Sequence, residues 1–128
     1  MTVIIDTQLL LWATIEPERL PGPATEILMD SSVARSFSAA SIWEVAIKSA
    51  LGRADFDVDP RELRTTLLRH GLTEVAIDGR HAAAVIDLPL IHADPFDRLL
   101  IAQAKVERVP LLTSDAKLAG YGPSVQMV

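Results

Sequence analysis

Apolar positions in this chain fall into short runs whose period alternates between that of a strand and that of a helix. Thr2 to Ile5 is a β-branched run closed by Asp6, the pattern of a strand covered on both faces. Leu9 to Ala13 reads as helix, and Pro17, Pro21, Gly22 and Pro23 punctuate the turn that follows. A helix is predicted over Ala24 to Ser31, a second strand over Val33 to Ala39, and a helix over Ser41 to Leu51 that Gly52 closes. Asp59-Pro60 opens another helix, with Leu63, Leu67 and Leu68 on one face. Glu74 to Ile77 is a third strand, Gly79 to Leu88 a helix stopped at Pro89, and Pro95 to Glu107 a strongly apolar helix. Val109 to Thr113 is a fourth strand and Val125 to Val128 a candidate fifth. Strands alternating with helices imply right-handed crossovers and an α/β fold, a parallel sheet covered on both sides. Ligands of such sheets sit beyond the carboxyl ends of the strands, so the chemistry is sought there.

Composition narrows the class. A chain of 128 residues should expose about 6,700 Å² folded against about 20,000 Å² unfolded, enough for one core, and a single domain over residues 1–128 is expected. Hydrophobic residues at 49% and charged ones at 23% exclude intrinsic disorder. The absence of cysteine excludes disulfides, thiolate zinc sites and a cysteine nucleophile. The longest apolar runs, Leu9 to Ala13 and Ala82 to Ile86, are far too short to span a bilayer, so no membrane association is expected. No basic region precedes the first apolar stretch, and a cytoplasmic address is expected. Seventeen acids against twelve Lys and Arg give a net charge of −5, which argues against a nucleic-acid binder unless the acids are concentrated in one place.

They are. Asp6 ends the first strand, Asp115 follows the fourth, Glu44 lies in the predicted first turn of the helix after the second strand, and Asp97 in the first turn of the most apolar helix. Each also fits helix capping: Ser41-Ile42-Trp43-Glu44 has capping-box spacing, and Asp94-Pro95-Phe96-Asp97 sets a cap, a proline and an acid in order. Asp59-Pro60-Arg61-Glu62 has the same grammar but leads a helix carrying Arg61, Arg64 and Arg69, so it reads as structural. Asp97 instead leads a helix apolar nearly all round, and a buried carboxylate needs a partner. Two carboxylates about 4 Å apart repel by about 4 kcal/mol at an effective dielectric near 20. Four of them in one pocket therefore call for a cation. Oxygen ligands alone suit Mg²⁺, with Mn²⁺ as the alternative, rather than zinc. Helix N-termini add only about 0.3–1 kcal/mol each. An acid-lined Mg²⁺ site beside a groove is the chemistry of phosphodiester hydrolysis. With the four acids set aside, acids and bases nearly balance.

Val-Ile-Ile-Asp-Thr near the N-terminus, Ser-Ala-Ala-Ser-Ile-Trp-Glu-Val-Ala-Ile-Lys in the middle, Leu-Pro-Leu-Ile-His-Ala-Asp-Pro-Phe-Asp-Arg-Leu-Leu-Ile-Ala-Gln-Ala, and Leu-Leu-Thr-Ser-Asp together resemble the PIN domain. More narrowly, they are similar to the VapC toxins of bacterial type II toxin–antitoxin pairs. The similarity runs from Val3 to Tyr121, and the stretch from His92 to Arg98 is its most specific part. The resemblance implies a three-layer α/β/α sandwich and Mg²⁺-dependent cleavage of RNA. It also implies an antitoxin partner and a homodimer. The family's four acids map onto Asp6, Glu44, Asp97 and Asp115. One departure is visible: Gln8 stands where many relatives carry His after Asp-Thr.

Other side chains have competing readings. Asp94 could hold a second metal through water, though a cap explains it. Thr7, Thr113 and Ser114 could orient carboxylates or serve as caps. Arg98 and Lys48 are candidates for backbone phosphate, yet Lys48 is also at ion-pair spacing from Glu44. His92 is equally a structural or a catalytic residue, His70 and His81 have no metal-site spacing, and Trp12 and Trp43 are expected in the core. Two rival functions deserve tests: a PIN-like module that only binds RNA or protein, and a Mg²⁺-binding phospho-acceptor domain. The second would want a phosphorylatable Asp at the end of a central strand, whereas the second strand ends Ser38-Ala39-Ala40-Ser41 and the first carries a single Asp rather than a pair; an Asp-nucleophile phosphatase lacks the second acid that Asp6-Thr7-Gln8 would need.

Overall fold

The computed structural model describes residues 1–52 and 56–128. Thr2–Ile5 forms β1, the middle of a five-stranded, all-parallel sheet with Ala34–Ser38 (β2), Thr73–Val75 (β3), Leu111–Thr113 (β4) and Val125–Met127 (β5). The order is β3-β2-β1-β4-β5. Because β1 has neighbours on both edges and helices over both faces, its side chains need no polar alternation. Val3 and Ile5 enter one core cluster and Ile4 the other. Leu112 and Leu111 of β4 divide in the same way. These two clusters make the fold a three-layer α/β/α sandwich.

The helices are Thr7–Ile15 (α1), Gly22–Met29 (α2), Ala39–Ala50 (α3), Pro60–Arg69 (α4), Gly79–Ala84 (α5) and Pro95–Glu107 (α6). Leu9 and Leu10 of α1, Ala24 of α2, Val45 of α3 and Leu63 and Leu67 of α4 build the first cluster. Leu100, Ile101, Ala102 and Ala104 of α6 build the second, with Leu118 and Tyr121 from a 3₁₀ turn over Ala116–Tyr121. The predicted helix from Gly79 to Leu88 divides into α5 and a 3₁₀ turn over Val85–Asp87. Leu68, expected beside Leu63 and Leu67, faces solvent. Trp43 is a correction: it is 56% exposed, in an edge-to-face pair with Phe96 at 5.1 Å between ring centroids. Trp12 packs half-buried against the first cluster.

The chain lays down β1, β2 and β3 toward one edge, then returns to place β4 and β5 on the other side of β1. Connections from adjacent strands β1 and β4 therefore leave in opposite directions, and a crevice opens between their carboxyl ends. Ile5 pairs with Leu112, which sets Asp6 beside Thr113. Register thus decides the first contact of the site.

Candidate active site

A cleft of about 490 Å³ opens at this switch point, and Asp6, Glu44, Asp97 and Asp115 all line it. Asp94, Thr7 and Ser114 lie on its wall as well, with Gln8, Leu11, Trp12 and Phe56 on the side of α1. Lys48 is the one cation among its described lining residues.

Asp6 is 6% exposed and caps α1: one carboxylate oxygen accepts the Leu9 amide at 3.1 Å, and the other accepts the Thr113 hydroxyl. The same Thr113 oxygen accepts the amide of Asp115 at 3.1 Å, so one threonine ties together two of the acids. Asp115 in turn caps the Ala116–Tyr121 turn through the Lys117 amide at 3.0 Å. Thr7 does not reach a carboxylate; its hydroxyl donates to Ser41 at 2.8 Å, linking α1 to α3.

Glu44 departs from the sequence expectation. The N-cap of α3 is Ser38, whose hydroxyl accepts the Ala40 amide, so Glu44 lies in the second turn and Ser41 is inside the helix. No capping role accounts for Glu44, which is only 5% exposed. Its Oε2 pairs with Lys48 Nζ at 2.7 Å, while its Oε1 is buried with no hydrogen-bond partner among the described residues. A buried acceptor left unpaired is costly, and a bound cation is what would satisfy this one.

Asp97 stands at the third position of α6, where Asp94 caps the helix by accepting the amides of Phe96 at 2.8 Å and of Asp97 at 3.1 Å. Its Oδ2 lies 3.0 Å from His92 Nε2. His92, Asp94 and Asp97 each bring a ligand-type atom within 4.8 Å of the others, the only such group of three among the described residues. Asp6, Glu44 and Asp115 line the same cleft without closing to that separation. The link from His92 to Asp97 is invisible to periodicity, since His92 belongs to a loop.

Charge crowding shows in protonation. Burial pushes the Asp97 carboxyl up to about 6, Asp94, Glu44 and Asp6 add repulsion, and only the His92 bond opposes them. Burial likewise raises Asp6 above the usual carboxylate range, against its bonds to Thr113 and Leu9 and with a further push from Glu44. The four acids offer oxygen donors alone, with Lys48 the one cation beside them among the described lining residues, and such donors fit a hard divalent ion. Arg98 does not line the cleft. Its guanidinium is held by the carbonyls of Val85, Leu88 and Pro89, so a phosphate contact from it is not supported. His81 is buried, with Nδ1 accepting the Asp78 amide at 3.1 Å and Nε2 bonded to Glu107 at 2.7 Å, and His70 is bonded to the Thr66 carbonyl.

Among solved structures, the fold is similar to VapBC2 from Rickettsia felis bound to a promoter DNA fragment, with TM-score 0.73, 13% identity and coverage of 100% of this chain and 98% of that one. A toxin–antitoxin complex from Klebsiella pneumoniae matches at TM-score 0.68 and 19% identity, covering 98% and 96%. VapBC-1 from nontypeable Haemophilus influenzae matches at 0.65 and 14%, covering 100% and 97%. No curated protein matches the sequence. The family model for the PIN domain, however, matches residues 3–122, a span that begins within β1 and takes in Asp6, Glu44, Asp97 and Asp115; the chain belongs to the PIN domain family.

Proposed function

We propose that the chain is a Mg²⁺-dependent endoribonuclease and the toxin of a type II toxin–antitoxin pair. The observation that carries this reading is the convergence of Asp6, Glu44, Asp97 and Asp115 on one cleft, where burial and mutual repulsion raise Asp6 and Asp97 and the buried Glu44 Oε1 has no partner among the described residues. Asp6, Glu44, Asp97 and Asp115 would hold Mg²⁺, or Mn²⁺, directly or through water. When bound, such an ion lowers the pKa of a coordinated water and neutralises charge on the phosphate and the leaving oxygen. The chain's own residues do the remaining work. Thr113 and the Leu9 amide fix both oxygens of Asp6. Lys48 Nζ holds Glu44 Oε2 at 2.7 Å and so fixes the carboxylate, which would orient the attacking water. Attack in line with the departing 3′ oxygen leaves a 5′-phosphate and a 3′-hydroxyl.

Family membership supports nuclease chemistry, and RNA rather than DNA rests on the family alone. Toxin–antitoxin complexes among the similar folds support an antitoxin partner. The homodimer rests on the sequence resemblance. Apolar side chains left in solvent, among them Ile86, Leu90 and Met29, provide surface that either protein could cover.

Incubation of a labelled single-stranded RNA pool with Mg²⁺ tests the reading. Cleavage should require the metal, leave 5′-phosphates, and vanish in the Asp6→Asn protein. Cutting that survives EDTA or the Asp6→Asn substitution would assign the activity to a contaminant. Binding of RNA without any cleavage would favour the non-catalytic module.

A further inference from the structure

Residues 88–94 connect the Val85–Asp87 turn to α6 and carry His92 to Asp97. Leu88 anchors the start of this loop in the second core cluster, while Leu90 beyond it is 93% exposed. A polar clamp holds the backbone on either side of Leu90. From α6, Arg98 Nη1 donates to the Pro89 carbonyl at 2.9 Å and to the Tyr121 hydroxyl at 3.3 Å, while its Nη2 donates to the carbonyls of Val85 at 3.3 Å and Leu88 at 3.5 Å. Tyr121 is 4% exposed. Its hydroxyl accepts the His92 amide at 2.9 Å and donates to the His92 carbonyl at 3.4 Å. His92 Nε2 then reaches back to Asp97, the residue before Arg98. The ring closes on α6 where it began. Tyr121 also ends the turn that Asp115 caps, so the clamp ties the segments that carry two of the four acids.

We infer that Arg98 and Tyr121 are positioning residues which, by fixing the backbone of His92, set the orientation of the Asp97 carboxylate for a divalent ion. Neither needs to touch the ion or the RNA. Groups that hydrogen-bond to a metal-binding carboxylate, although outside the coordination sphere, commonly change metal affinity by about 10–100-fold when removed. Lysine could not replace Arg98, because the clamp uses the fork of the guanidinium on several acceptors at once. The inference rests on the metal reading above.

Mn²⁺ alone, titrated against the full chain and followed by the electron paramagnetic resonance of the free ion, separates the two. Wild type should bind, and Tyr121→Phe, Arg98→Lys and His92→Ala should each bind about 10–100-fold more weakly. The Tyr121→Phe/His92→Ala double variant should bind no more weakly than His92→Ala, because the tyrosine acts through the histidine. A tyrosine with a merely structural role would lower the melting temperature and leave Mn²⁺ affinity unchanged, or its effect would add to that of His92→Ala; either result overturns the positioning role. If Tyr121→Phe does not fold, Arg98→Lys gives the same reading. Failure of wild type to bind Mn²⁺ overturns the metal reading itself, and the positioning role falls with it.

Discussion

Asp97 shows how one side chain can report on a whole site. Its carboxyl, pushed up to about 6 by burial and neighbouring acids, binds a proton more readily folded than unfolded. Its contribution to stability is therefore greatest at low pH and is lost as pH rises through about 6, where the ionised form must be held in place. The cost at pH 8 is at most roughly 3 kcal/mol. Asp97→Asn should accordingly raise the melting temperature of the metal-free protein by several degrees at pH 8, by an amount that shrinks below pH 6 and nearly disappears by about pH 4. Thermal unfolding across this range checks it; an Asn variant no more stable than wild type at pH 8 would deny the repulsion. The same variant should lose RNA cleavage. The identity of Asp97 was legible from the sequence, but its bond to His92 was not, because no period links a loop residue to a helix position five residues on.

Two helices that open alike serve different ends. Asp59 caps α4 through the amides of Arg61 and Glu62, and Asp94 caps α6 through those of Phe96 and Asp97. Replacing either by Ala should cost about 0.5–2 kcal/mol of stability. Denaturant unfolding together with cleavage assays should then part them: Asp59→Ala keeps full activity, while Asp94→Ala loses activity as well, since its cap sets the first turn that carries Asp97. Equal loss of activity in both would reduce Asp94 to a matter of stability. The start of α3 teaches the reverse lesson. Ser41-x-x-Glu44 has capping-box spacing, but the chain enters the helix three residues earlier at Ser38, whose hydroxyl also bonds to Gln103 of α6. That tertiary contact lies outside any local window, and it moves Glu44 from a terminus into the wall of the cleft.

At the scale of the molecule, five acids line the cleft where the ion is proposed to sit, so ligation should appear in global stability. Mg²⁺ at about 100 times its dissociation constant should stabilise the folded chain by about 2.7 kcal/mol. Calorimetry with and without EDTA should find this shift in wild type and not in Asp6→Asn; a shift of equal size in both would place the ion elsewhere. The homodimer is tested by sedimentation of the isolated chain over a range of concentrations, with a monomer throughout removing it.

The sequence by itself determined the α/β class, the strands and helices to within a few residues, and the four acids. Those features are written in local period, in caps and in the rule that ligands gather at strand ends. Tertiary structure decided the rest. Strand order placed β4 against β1 and so opened the crevice between them, and register set Thr113 on Asp6. Packing left Glu44 with an oxygen unpartnered among the described residues, removed Arg98 from the cleft to the loop it clamps, and left Trp43 in solvent. These outcomes depend on which distant segments meet, and desolvation acts only once they have met.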